Sequence, residues 1–177
     1  MTLFLHRFFG ALVLDAEAFE DVERDSHAWA QSVCVVALAC LAAAMATTEL
    51  GVAEPAGFLL GAMAALGAWL VWVAVVGVIG TRDLAEPQTH SSFGELLRTL
   101  GFAAAPGVFL VFAIIRPAAP IVFVMVSLWM IAAAVLGMRQ ALDYRHTMRA
   151  VAVCLLACLV SIGIIATMMV IFTRSVG

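Results

Sequence analysis

Charge is scarce in this chain, and lysine is absent from it. Asp, Glu, Lys and Arg make up 12% of its 177 residues, hydrophobic residues make up 65%, and mean hydropathy is +1.12. A water-soluble domain of this length must cover its outside with charge, yet most of these charges lie in short connecting segments. The composition excludes a soluble globular protein and predicts a polytopic integral membrane protein solvated mainly by lipid. All nine basic residues are arginine, a bias that fits a GC-rich bacterial genome and implies no mechanism.

Further absences narrow the class. The long apolar runs lack the alternation of barrel strands, so the backbone in the bilayer must be satisfied within helices and the fold class is all-α. At 18.7 kDa and about 20 residues per crossing, the chain has room for one helical bundle and no separate catalytic domain. Cys34, Cys40, Cys154 and Cys158 all fall inside apolar runs, where they read as small hydrophobes rather than as disulfide or metal partners. No cleavable signal is expected, because Arg7 is followed only by a short apolar patch to Leu14 and then by acids.

The first 25 residues place Leu5, Phe8, Phe9, Leu12, Ala16 and Phe19 at three- and four-residue spacings, with charges on the other sides. This predicts an amphipathic interfacial helix over 1–25. Six of the twelve acids (Asp15, Glu17, Glu20, Asp21, Glu23 and Asp25) fall in it, so anionic headgroups repel it and its expected support is the protein's own bundle or a partner. Residues 26–177 form the membrane domain, a five-helix bundle with spans at about 28–48, 56–80, 101–115, 121–138 and 151–172. Ser92-x-x-Glu95 has capping-box spacing and starts a short surface helix that leads into the third span. That span is short and contains Pro106. Arg7, Arg24, Arg82, Arg98, Arg139, Arg145 and Arg149 mark one side of the membrane, against Arg116 and Arg174 on the other. The arginine bias predicts a cytoplasmic N-terminus and a periplasmic C-terminus in a bacterial inner membrane.

No Asp, Glu, Arg or His lies deep in a predicted span, so the costly buried charge of a proton relay or intramembrane catalyst is missing. His6, His27, His90 and His146 lie in different segments on one side, which argues against haem or metal ligation. Catalytic, cofactor and metal sites are all expected to be none, as is any nucleic-acid partner. Two weaker constellations remain. Gly57, Gly61 and Ala65 form a small-residue ladder suited to close helix packing, within the bundle or against another protein. Arg139, Asp143, Arg145, His146 and Arg149 form the densest charged site; Arg139 and Asp143 have the spacing to pair on one helix face. This site reads as an interfacial anchor, with Arg139, Arg145 and Arg149 as a possible contact for a lipid headgroup or phosphate.

Three motifs then give the chain a family likeness. They are Leu14-Asp15-Ala16-Glu17-Ala18-Phe19-Glu20 followed by Trp29, Phe93-x-x-Leu96-x-x-x-Leu100-Gly101-Phe102-Ala103-x-x-Pro106, and Gly137-x-Arg139-Gln140-Ala141-Leu142 followed by Arg149-Ala150. Their order among five spans resembles the Yip family (the Yip-one domain, named for proteins that interact with Ypt/Rab GTPases) in its short bacterial form. The resemblance implies five spans and a cytoplasmic N-terminus. Eukaryotic relatives work with Rab GTPases through a longer N-terminal region and an Asp-Leu-Tyr-Gly-Pro-like motif. This chain has one tyrosine, Tyr144, and no such motif, so Rab binding does not transfer. The expected function is a non-enzymatic accessory or scaffold subunit that packs against membrane proteins, lipid or itself; the alternative is a small transporter or channel component, with Pro106 breaking a helix near the bilayer centre.

Overall fold

The computed structural model describes residues 2–47, 55–86 and 91–176. Seven α-helices follow in order: α1 (Thr2–Leu12), α2 (Ala16–Arg24), α3 (Trp29–Thr47), α4 (Pro55–Val78), α5 (Phe93–Ala103), α6 (Ala119–Ala141) and α7 (Thr147–Val176). Among the described residues, five stretches are long and apolar enough to cross a membrane: Ser26–Ala46, Ala56–Asp83, Phe93–Ile114, Arg116–Ala141 and Thr147–Ile171. The fold is an all-α, multi-pass membrane bundle. The predicted turn after Glu49 lies outside the described residues as far as Pro55, which opens α4 at the position where its fixed φ suits a helix. Pro87 and His90 also lie outside them.

The third span departs most from the expected boundaries. Ser92 does start a helix with a full capping box: its hydroxyl accepts the Glu95 N–H at 3.2 Å while the Glu95 carboxylate accepts the Ser92 N–H at 2.8 Å. That helix, α5, belongs to the long apolar stretch Phe93–Ile114, and Leu96, Leu97 and Thr99–Ala103 are buried in the bundle. Pro106 cannot continue the α-helical ladder, so Ala104 donates back to Gly101 at 3.2 Å and Gly107 to Ala104 at 2.8 Å. Ala105–Ile114 then runs as a 3₁₀ helix. At about 1.5 Å per α residue and 2.0 Å per 3₁₀ residue, Phe93–Ile114 reaches roughly 37 Å, enough for a core of about 30 Å.

The N-terminal region is two helices, not one. Leu14 takes a positive φ of 62°, turning the chain before Asp15 caps α2 by accepting the Glu17 N–H at 3.0 Å. Ala18, Phe19 and Val22 form the buried face of α2, which lies on α5 and α6. Trp129, midway along α6, donates its indole N–H to the Leu12 carbonyl at 2.9 Å. Both helices therefore pack on the protein's own bundle. Phe19, Val22, Leu96, Leu100, Phe102, Met138, Leu142 and Val153 form the core at the arginine-rich end. The far half of α7 is exposed from Ile162 to Ile171, an apolar surface for lipid.

Candidate functional site

Three segments far apart in sequence close on one another at the arginine-rich end. Phe19 of α2 is 1% exposed and lies over Gly137 of α6, where an added Cβ would stand 3.4 Å from the ring. Gln140 donates to the Ala16 carbonyl at 3.4 Å, and Arg98 of α5 donates to the Glu23 carbonyl at 2.8 Å. Side chains of the membrane spans thus bond main-chain carbonyls at both ends of α2, and the Glu23 carbonyl, in the last turn, is one that the helix itself leaves open.

The strongest polar assembly beside this junction is centred on Arg7, 2% exposed. Its Nε donates to Asp21 at 2.7 Å, Nη2 to Asp25 at 2.8 Å and Nη1 to Gln31 at 3.1 Å. One planar fork therefore joins α1, α2 and α3, a geometry that a lysine ammonium cannot copy. The bond from Arg7 holds the Asp25 carboxyl below its ordinary value, helped by the His27 N–H at 2.8 Å. Glu23 is driven the other way. Burial, then the neighbouring carboxylates of Asp143, Glu95 and Glu20, push it up to about 7 against the pull of Arg24. Carboxylates from α2, α5 and the α6–α7 connection are thereby gathered at one place.

The same end is closed by stitches from the α6–α7 connection to the chain leaving α4. Tyr144 donates its hydroxyl to the Gly80 carbonyl at 2.8 Å, and its burial pushes the phenol up to about 12. Arg149 pairs with Glu86 at 3.3 Å and donates to the carbonyls of Leu84 at 3.3 Å and Ala85 at 3.2 Å. The Arg145 N–H reaches the same Glu86 carboxylate at 3.3 Å. Of the three arginines expected at a headgroup or phosphate site, Arg149 holds the fold together, while Arg139 and Arg145 are exposed. Arg139 and Asp143 do not share a helix face as the spacing suggested. Helix α6 ends at Ala141, and Asp143, at a φ of 51°, belongs to the turn.

The small-residue ladder on α4 is uneven. A Cβ added to Gly57 would meet nothing within 4 Å, one at Gly61 would meet the Ala44 Cβ of α3 at 3.5 Å, and Ala65 packs against the Val36–Ala39–Cys40–Ala104 cluster. The tight approach lies elsewhere. On the third span, an added Cβ would stand 2.8 Å from the Ser32 Cβ at Gly101 and 2.9 Å from the Ala39 Cβ at Gly107. Two signals in the sequence pointed there: a glycine inside the Leu100-Gly101-Phe102 motif and another directly after Pro106. Arg7 was legible only as an isolated cation facing a run of acids.

The segments that meet at this end are those with the family motifs: Asp15–Phe19, Phe93–Pro106 and Gly137–Leu142. The family model for the Yip1 domain matches residues 9–168. The chain belongs to the Yip1 domain family. The match begins within α1 and ends within α7, so it takes in four spans and most of the fifth, and the junction of α2 with α5 and α6 falls inside it. No curated protein and no solved structure matches this Yip1-domain chain.

Proposed function

We propose that this Yip1-domain protein is a non-enzymatic accessory or scaffold subunit of a bacterial inner membrane, with its N-terminus cytoplasmic. It packs against other integral membrane proteins, lipid or further copies of itself. One observation carries this reading: Arg7, Arg98, Arg149, Tyr144 and Trp129 all hold the chain's own segments together. What they leave to other molecules is the apolar flank of α4 and α7. Transport gains little from Pro106, because Ala103–Gly107 is buried and Gly107 lies against α3. Purification of the whole chain in a mild detergent should bring a membrane protein in fixed ratio or give a discrete homo-oligomer. Gly57→Leu, on the open part of the ladder, should loosen that association while leaving the melting midpoint unchanged. A solitary monomer that carries solute across vesicles would replace this reading with transport.

A further inference from the structure

We propose that the α3–α4 face binds one glycerophospholipid of the leaflet on the arginine-rich side, with an acyl chain in its groove and the phosphate at Arg82. The groove has a volume of about 400 Å³ and runs along α3 from Trp29 to Leu41, facing α4 and Leu97. It opens outward, since Trp29, Val33, Met63 and Leu70 are all exposed. Twelve residues of rise make it about 18 Å long, slightly more than half of a hydrocarbon core of about 30 Å. Its depth is therefore that of one leaflet.

The length and the lining suit a hydrocarbon chain: the groove is one leaflet deep, open toward the bilayer and walled almost wholly by apolar side chains. Its one hydroxyl, Ser32, is already engaged, donating to the Arg98 carbonyl at 2.9 Å. Trp29 stands at the end of the groove nearest the arginine-rich side, as an interfacial tryptophan would.

A second cavity continues the first toward that end. Met63, Leu66, Leu70, Ala74, Gly77 and Thr81 recur at three- and four-residue spacing, so they share one face of the span. The first three line the groove, and the last three line a cleft of about 290 Å³ that also holds Arg82, Phe93 and Ser91. Phe93 and Leu97, four apart on α5, join the two walls. From Leu66 to Arg82 the face measures about 24 Å, against about 20–22 Å for one leaflet with its headgroups. Arg82 is the cleft's one cation among the described residues and is exposed, with the neighbouring Asp83 carboxylate the nearest opposing charge in sequence. An arginine at this height can lower its guanidinium to a phosphate.

Native mass spectrometry of the full chain, released from detergent micelles carrying dipalmitoyl phosphatidylglycerol, tests this. Wild type should retain one lipid. Ala37→Phe puts a ring into the groove from an exposed position and should lower retention about tenfold, the loss expected from displacing two buried methylenes. Val33→Trp, nearer the mouth, should do the same if Ala37→Phe proves unstable. Arg82→Gln should cost about fivefold. Leu159→Phe, on lipid-facing α7, should match wild type. Unchanged retention in the two plugged variants would overturn the groove, and unchanged retention in Arg82→Gln would overturn the phosphate contact. A lipid-free dimer that Ala37→Phe dissociates would show a second copy there instead.

Discussion

At the residue scale, Glu23 and Asp25 lie two positions apart and are shifted in opposite directions. Asp25 meets the Arg7 guanidinium, whereas Glu23 is buried among carboxylates. A carboxyl whose folded value is about 7 against an ordinary 4.5 keeps its proton in the folded chain where the unfolded chain has released it. Its contribution to stability is therefore largest at low pH, declines as pH rises from about 4.5 to about 7, and is flat above that. Asp25 acts in the reverse sense, its contribution being lost only as pH falls below its ordinary 3.8 toward its lower folded value. The interval from pH 5 to pH 8 thus separates Glu23 from Asp25, and comparison with a variant at Glu23 removes what the two proteins share. Thermal unfolding in detergent should show wild type losing stability across that interval relative to Glu23→Gln. Parallel curves would mean that the carboxyl is solvated after all.

At the scale of elements, the contact between α3 and the third span has no room for added volume at Gly101 or Gly107. Gly101→Ala places its Cβ 2.8 Å from the Ser32 Cβ, with the Ser32 backbone at 3.4 Å, so a helix rather than a flexible side chain must move. Overpacking of this kind costs about 1–3 kcal/mol, more than the gain of up to about 1 kcal/mol from replacing a helical glycine. Gly57→Ala meets nothing within 4 Å and should be neutral or slightly stabilising. The melting midpoint of Gly101→Ala should therefore fall while that of Gly57→Ala holds or rises, and a stable Gly101→Ala would show that α3 and α5 stand further apart. The 3₁₀ run after Pro106 belongs to the same element: its larger rise supplies the length that the α-helical count of the third span lacked.

At the scale of the whole molecule, five helices long enough to cross would put the two termini on opposite sides, and the proposed cytoplasmic N-terminus rests on the arginine bias. A reporter active only outside the cytoplasm should give signal when fused after Gly177 and none when fused at Pro87. A silent C-terminal fusion in a normally expressed protein would mean that Phe93–Ile114 re-enters the membrane instead of crossing it. The packing is also uneven: the α2–α5–α6 end is densely buried, while the far half of α7 is exposed from Ile162 to Ile171. Such a bundle is anchored at one end and leaves its flanks to the bilayer and to other proteins.

The sequence alone determined the solvent, and through it the class. Too little charge to cover a soluble surface requires lipid, lipid requires an internally bonded backbone, and long apolar runs without alternation make that backbone helical. The five long apolar helices, the Ser92 capping box and the family likeness were legible for the same reason, being local patterns of a few turns. The tertiary structure decided what depends on distant neighbours. The opposite shifts of Asp25 and Glu23 need Arg7 from one side and Asp143 from the other. Whether a glycine is a contact depends on which helix faces it, so Gly101 and Gly107 are tight while Gly57 is open. Of three similar arginines, Arg149 became a structural tie because the fold brings Glu86 to it, and no spacing along the chain encodes that meeting.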